Sequence, residues 1–283
     1  MLNRGRTTTL VLVTAGLLLG GCTSVVEGVA SPGATAAPTP GDDPMFEAPA
    51  VGTCHQVEVV YDPLEVPPVV DCAQPHTAET ATVQDTGLPL DAPYPTEEDL
   101  DYSEDSPFTE VCSYDTADDY LGAESGDLTY VDYTVVLPTP EQWAAGARWA
   151  ACDVVYGGSG PEPAPGRMAG ALEGPDASAY RVCLDGSPVE YDEVPCSVEH
   201  WAESLISLPD VPEGAPFPVD RAARAPYAEQ CLSDAVDYLG GPLTPELALD
   251  VTTDDEEYWA DSPFPQCVIV RADGGTSTSS VRG

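Results

Sequence analysis

One short pattern combines side chains that could do acid–base, metal or nucleophilic chemistry. It reads Cys-x-x-x-His-x-Ala-Glu and occurs twice in the 283-residue chain. The two copies place these residues at Cys72, His76 and Glu79 and at Cys196, His200 and Glu203. A histidine and a carboxylate can exchange protons or hold a metal ion, and a cysteine beside a histidine can act as a nucleophile. Each of these chemistries depends on how the chain positions the pattern.

The spacing of His76 and Glu79 allows two arrangements. In an extended strand, residues three apart point to opposite faces, which disfavours a joint site. If the histidine opens a turn, the two side chains can converge. A nucleophilic Cys72 would need a free thiolate, which an exported, paired cysteine cannot supply. We favour a structural role, in which the histidine bonds to the backbone near a disulfide, because duplicated segments share their fold landmarks.

The flanks of the pattern match as well, which indicates an internal repeat. Ala-Pro-aromatic-Pro occurs at 92–95 and 215–218, and Asp-Tyr-Leu-Gly at 119–122 and 237–240. Trp143 corresponds to Trp259. A tandem duplication is the economical interpretation. The predicted segments are repeat 1 at 51–156, a linker at 157–177, repeat 2 at 178–272 and a disordered tail at 273–283.

Each repeat carries four cysteines, and an even number in an exported chain predicts disulfides. Pairing within each repeat reduces the 105 possible sets to nine. We favour first with second and third with fourth in each repeat. The predicted pairs are Cys54–Cys72, Cys112–Cys152, Cys183–Cys196 and Cys231–Cys267.

Runs of β-branched residues predict strands at 57–61 and 80–83 and, after a helix ending at Gly122, at 128–137 and 150–156. Repeat 2 has the same order, with a helix from Asp220 to Gly240. The predicted fold is α+β: two tandem disulfide-bonded repeats, each with a small, mostly antiparallel sheet and one main helix. The third cysteine on a helix and the fourth on a strand would join helix to sheet.

The N-terminus predicts export and lipid anchoring. Residues 1–21 have a basic start and a short apolar run, which is typical of a signal peptide. The run ends in Leu19-Gly20-Gly21-Cys22, which resembles a bacterial lipobox with Cys22 as the lipidated residue. A diacylglyceryl group on Cys22 would anchor the protein in the bilayer at the extracytoplasmic face of the cell membrane. Residues 22–50 are rich in Pro, Ala, Thr and Ser and predict a disordered tether.

The composition is strongly acidic, with a formal net charge of −40 and no lysine. Such a chain repels nucleic acid, which excludes that class of partner. The acidic runs at 97–105 and 254–257 suggest divalent-cation binding as an alternative, although neither fits a calcium-binding loop. The sequence contains no catalytic motif of the serine hydrolase, zinc protease or phosphate-binding-loop type, and it predicts no cofactor or metal.

The first repeat resembles the septum formation family of actinobacterial exported and membrane-anchored proteins. The motifs that carry the resemblance are Val51-Gly52-x-Cys54, Val70-Asp71-Cys72, Pro75-His76-x-x-Glu79, Pro138-Thr139 and Trp143-x-x-Gly146-x-Arg148-x-x-x-Cys152. Thr53 and His55 depart from the family pattern, and the second repeat, which has Glu199 for the proline and lacks the Gly-x-Arg, is a diverged copy. The resemblance implies an envelope location and a link to the division septum, with no established activity. Arg148 is expected to pair with a carboxylate, and Trp143 to belong to the core.

These features together predict a non-catalytic binding or scaffold lipoprotein of the cell envelope or septum, with an unidentified envelope or division protein as partner. One alternative is a secreted wall-modifying enzyme with a His/Glu site. Another is an acidic lipoprotein that binds divalent cations.

Overall fold

The computed structural model describes residues 43–58, 66–96, 100, 106–108, 110–158, 160–253 and 256–282. The predicted signal peptide, Cys22 and residues 22–42 of the tether lie outside the described residues. Both acidic runs do so in large part. Within the described part of the chain, no helix is both long and apolar enough to cross a membrane.

The first repeat is one antiparallel sheet of five strands in the spatial order β2-β1-β3-β5-β4. Its elements are β1 (Cys54–His55), β2 (Val69–Val70), β3 (Ala78–Asp85), α1 (Tyr114–Leu121), β4 (Val131–Val136), α2 (Pro140–Ala144) and β5 (Trp149–Tyr156).

The second repeat has the same topology, with the strand order β7-β6-β8-β10-β9 and antiparallel pairing throughout. Its elements are β6 (Val182–Gly186), β7 (Tyr191–Pro195), β8 (Ala202–Ser204), α3 (Arg221–Ala228), α4 (Leu232–Leu239), β9 (Leu247–Val251), α5 (Glu256–Asp261) and β10 (Cys267–Arg271). The prediction of a two-repeat, disulfide-bonded α+β fold is therefore confirmed.

Strand register gives a residue-by-residue correspondence between the repeats. Cys54 lies opposite Glu79 in the first sheet, and Cys183 lies opposite Glu203 in the second. The correspondence therefore rests on main-chain pairing as well as on matching sequence.

The short strands at the start of each repeat differ from the prediction. Residues 57–58 are not in a strand, and the first strand is instead β1, at Cys54–His55. Each repeat also has a further strand: β2 pairs with β1 in the first repeat, and β7 pairs with β6 in the second. A two-residue strand is too short to show the alternation from which strands are predicted, so only tertiary pairing reveals it.

The main helices end at the predicted glycines, and polar side chains cap their starts. The Ser113 side chain accepts a hydrogen bond from the Thr116 backbone, and Gly122 adopts the left-handed conformation that ends α1. The predicted helix from Asp220 to Gly240 consists of α3 and α4, which a 3-10 turn at Glu229–Cys231 separates.

All four disulfides follow the favoured pairing. Cys54 bonds Cys72, Cys112 bonds Cys152, Cys183 bonds Cys196 and Cys231 bonds Cys267. The third cysteine differs from the prediction: Cys112 lies two residues before α1 and not on a helix, and Cys231 ends the 3-10 turn before α4. The second and fourth bonds therefore tie the segment before α1 or α4 to the last strand, β5 or β10. Each is expected to contribute about 2–4 kcal/mol by restricting the unfolded chain.

The two repeats pack against each other around a shared core. Tyr130 of the first repeat and Tyr180, just before β6 in the second, both contact the Tyr156 ring edge to face, with ring centroids 5.5 Å apart. Their backbones also pair, because Tyr130 N donates to Tyr180 O at 2.7 Å and Val182 N to Leu128 O at 2.9 Å. The repeats are therefore joined by main-chain hydrogen bonds as well as by apolar contacts.

Part of the predicted tether is also ordered against the first repeat. Trp149 Nε1 donates to Phe46 O at 3.0 Å, and Met45 and Phe46 pack on the cluster that contains Trp149. Residues 43–48 carry two large apolar side chains within a stretch of otherwise tether-like composition, and burying them offsets the entropy of ordering the backbone.

Candidate functional site

The histidine and glutamate of the first repeat meet inside the protein. His76 lies just before β3, and Glu79 is the second residue of that strand; both are buried. His76 Nδ1 donates to Gln74 O at 3.0 Å, and its Nε2 lies 3.0 Å from Glu79 Oε1. The turn before the strand is what allows convergence, so the second of the two predicted arrangements is the one observed.

Glu79 accepts two further hydrogen bonds and makes one ion pair. Tyr120 OH donates to Oε2 at 2.7 Å, Met168 N donates to Oε1 at 3.0 Å, and Arg167 Nε lies 3.3 Å from Oε1. Burial, together with the Glu79 charge, raises the pKa of the Tyr120 phenol well above its usual value, so the phenol stays protonated and donates. Both carboxylate oxygens are therefore occupied by groups of the protein itself.

The second repeat builds a similar cluster around Glu203. His200 Nδ1 donates to Val198 O at 2.8 Å, as His76 Nδ1 does to Gln74 O. Glu203 accepts from Tyr238 OH, from Ser280 Oγ at 2.6 Å and from Val281 N at 2.6 Å. Burial is also the main cause of the raised pKa of Tyr238, and the nearby Glu203 carboxylate adds to it. We call the Glu79 group and the Glu203 group the two carboxylate clusters.

A segment that follows the last strand of each repeat returns to close its carboxylate cluster. Ala164 N donates to His76 O at 2.8 Å, and Ser277 N donates to His200 O at 2.9 Å. Four residues later in each case, Met168 N and Val281 N donate to the glutamates. We call residues 164–168 and 277–281 the closing segments.

The closing segments differ from the predicted linker and disordered tail. The first lies within 157–177 and the second within 273–283, yet Met168 is fully buried and Ser280 nearly so. Gly, Pro and Ser in these stretches are typical of loops, but their backbone amides are fixed by a buried carboxylate. Each repeat therefore extends beyond the boundaries at 156 and 272 that composition suggests.

The clusters do not offer a thiolate for metal binding or nucleophilic attack. Sγ of Cys54 and ligand atoms of His76 and Glu79 lie within 4.8 Å of one another, and Cys183, Cys196 and Glu203 form a similar group. The cysteine sulfurs are oxidised in disulfides, however, and metals and electrophiles require the thiolate. The donor set therefore fits a structural cluster better than a metal centre.

Arg148 has different partners from those predicted. Its guanidinium donates to the carbonyls of Trp143 at 2.8 Å and Pro89 at 3.1 Å, and to those of Ala147 and Leu90. It also lies over the Trp143 ring, 4.1 Å from the centroid. Backbone carbonyls thus supply the hydrogen-bond acceptors that a carboxylate was expected to supply, and the Asp91 carboxylate acts on the guanidinium through its charge.

The two matched tryptophans hold the Ala-Pro-aromatic-Pro turn in both repeats. Trp143 Nε1 donates to Ala92 O at 3.0 Å, and Trp259 Nε1 donates to Ala215 O at 3.2 Å. Both rings are buried, which places them in the core.

Sequence reasoning missed a buried polar triad in the first repeat. Asp153 accepts from Thr80 Oγ1 at 2.8 Å and contacts Nδ1 of His55, and all three residues are buried. His55 and Asp153 are 98 residues apart, so only the pairing of β1 and β5 on either side of β3 brings them together. We call these residues the His55 triad.

Sequence reasoning also missed a cluster of charged side chains that joins the two repeats. Asp127 of the first repeat is buried and accepts from Arg181 Nε and Arg282 Nη1, both at 2.9 Å. Acidic residues are so frequent in this chain that no local signal distinguishes this one from the others.

Comparison with known proteins gives one match. The model of a family described as septum formation matches residues 51–262, about three quarters of the chain. This range runs through both repeats and is wider than the hundred residues that carry the resemblance in the sequence. No curated protein and no solved structure matches. The chain belongs to the septum formation family.

Proposed function

We propose that the protein is a lipid-anchored scaffold or binding module at the extracytoplasmic face of the cell membrane, and that it takes part in septum formation. Membership of the septum formation family supports a role in cell division or the envelope. Four disulfides support an oxidising, extracytoplasmic compartment. The Leu19-Gly20-Gly21-Cys22 sequence supports anchoring through Cys22.

The observation that carries the non-catalytic assignment is the repeated use of the carboxylate cluster. Glu79 and Glu203 are both buried, and each accepts hydrogen bonds from its own tyrosine and its own closing segment. A general acid or base must reach the substrate, either directly or through one water. Side chains occupied in this way serve to hold the fold, which leaves the outer surface for binding an envelope or division protein.

Fluorescence microscopy of dividing cells tests this proposal. A fusion of the full-length protein is expected at the septum, and the Cys22→Ala version is expected to lose that enrichment. An even rim around the cell would contradict the septal role while leaving anchoring intact. A septal signal that Cys22→Ala leaves unchanged would contradict the anchor.

A second candidate, a secreted enzyme that modifies the cell wall, is favoured by the 3.0 Å approach of His76 Nε2 to Glu79. The variants His76→Gln and His200→Gln separate the two functions. Under the scaffold proposal they lower stability or disulfide yield. Variants that fold and localise like the wild type but fail to complement a deletion strain would support the enzyme.

A further inference from the structure

The second repeat contains a groove between α3, α4 and its edge strand β9, with a volume of about 550 Å³. Its walls are aliphatic and are formed by Ala225, Ala228, Leu232, Leu243 and Leu249. A concave, mostly apolar site of this size with a few polar groups is typical of sites that bind small molecules.

At one end of the groove, two guanidiniums share one carboxylate. Asp250 is buried and accepts two hydrogen bonds from Arg224, from Nε at 2.8 Å and from Nη2 at 3.0 Å. Arg221 lies farther away, with Nε 3.6 Å from Asp250 Oδ2 and 46% of its side chain exposed. Arg224 makes the closer, two-bond contact with Asp250, so Arg221 is the more distant and more exposed of the two guanidiniums and can take an added anionic partner.

The charged groups of the lining are separated along the helix. Arg221 begins α3, and the exposed Glu229 follows eight residues later, about 12 Å along a helical axis. Ala225 and Ala228 lie between them on the groove side. An anionic head at Arg221 would therefore be far from the Glu229 carboxylate, with an apolar chain over the alanines and leucines.

The first repeat carries aromatic side chains at the positions that match two of the groove leucines. Leu249 pairs with Ile269, two residues after the last cysteine, and Tyr133 holds the same register opposite Val154. The Tyr133 ring packs edge to face against Tyr114, with centroids 4.9 Å apart. The second repeat thus has leucines where the described part of the first repeat has a tyrosine pair.

We propose that this groove binds an aliphatic chain that ends in a carboxylate, such as a fatty acid, with the carboxylate on Arg221. A guanidinium recognises a carboxylate through two parallel hydrogen bonds, and the aliphatic walls suit a flexible chain. This binding activity goes beyond the scaffold function and does not depend on it.

Calorimetric titration with dodecanoate below its micelle concentration tests the proposal on the exported Cys22→Ala protein, purified without detergent. We expect one molecule bound per chain. Arg221→Gln should weaken binding about tenfold or more, because it removes a charge-assisted hydrogen-bond pair, and should leave dodecanol binding unchanged. Arg221→Lys should restore part of the dodecanoate affinity.

Two phenylalanine variants locate the ligand. Ala225→Phe should abolish binding because it fills the groove, whereas Ala223→Phe, on the opposite side of the same helix and exposed, should bind normally. Thermal unfolding would show that both variants fold. No binding at millimolar dodecanoate, binding that Ala225→Phe leaves intact, or tighter binding of dodecylammonium would overturn the proposal. A leucine-rich peptide that binds where dodecanoate does not would also overturn it and would assign the groove to a protein partner.

Discussion

The two repeats share their carboxylate clusters but differ in the interior next to them. Where the first repeat has the His55 triad, the second has Leu184 in β6, Val268 in β10 and Ser204 in β8. These three side chains are also buried. The polar triad of one repeat is thus an apolar pair and a serine in the other.

The hydroxyl of Ser204 shows a consequence of losing the triad. Ser204 Oγ is buried and has no hydrogen-bond partner among the described residues, whereas its counterpart Thr80 donates to Asp153. An unpaired buried hydroxyl is expected where the acceptor carboxylate has been replaced by Val268. The comparison indicates that the carboxylate cluster closes the fold in both repeats, whereas the triad can be replaced by apolar packing.

The largest expected effect comes from removing a cluster carboxylate. Glu79→Ala or Glu203→Ala leaves a phenol (partly buried Tyr120 or buried Tyr238) and a backbone amide without an acceptor, so each should lower the free energy of unfolding by about 3–5 kcal/mol. Urea unfolding followed by tryptophan fluorescence measures this. Glu199→Ala, an exposed acidic neighbour, is the matched control and should change stability by less than about 0.5 kcal/mol. Equal losses for Glu79 and Glu199 would contradict the structural role.

For the His55 triad, we expect one substitution to lower stability and a second substitution to restore it. Asp153→Val alone leaves His55 and Thr80 without their shared acceptor and should cost about 2–3 kcal/mol. Adding His55→Leu copies the second repeat and should bring stability to within about 1 kcal/mol of the wild type, since replacing both partners by apolar groups is nearly neutral. The same unfolding experiment checks this, and additive losses in the double variant would break the comparison.

A smaller effect is expected from the tyrosines. Tyr120→Phe and Tyr238→Phe each remove one hydrogen bond to a buried carboxylate and should cost about 1.5–3 kcal/mol. The more deeply buried Tyr238 should show the larger loss. Thermal unfolding of the two single variants, side by side, ranks them. No loss in either variant would show that the tyrosines do not support the clusters.

High pH should destabilise the protein through the same phenols. Burial raises the pKa of Tyr180 to about 12 and also raises those of Tyr120 and Tyr238. A group whose pKa is raised by folding contributes stability below its unfolded value of about 10 and loses that contribution as the pH rises through the folded value. Unfolding midpoints should therefore fall between pH 10 and 12, and the fall should be shallower in Tyr238→Phe. A flat profile would contradict these environments.

The predictable parts of the fold are those for which both repeats carry the same side chains at matching positions. The paired cysteines and the Asp-Tyr-Leu-Gly helix ends fall at matching positions, so the duplication itself reveals them. The closing segments were not predictable, because the contact that both share with the glutamates comes from a backbone amide, which any residue except proline possesses, whereas their side-chain contacts, from Arg167 and Ser280, differ between the repeats. The His55 triad occurs in one repeat only, so duplication gives no signal for it.

Hydrogen exchange at the closing segments tests the central claim most directly. The claim is that each repeat is completed by a segment held on its buried glutamate. Mass spectrometry of the intact protein should show slow amide exchange at 164–168 and 277–281. Glu79→Gln should speed exchange mainly in the first segment, and Glu203→Gln mainly in the second. Exchange in both wild-type segments at the rate of an unstructured peptide would contradict the account.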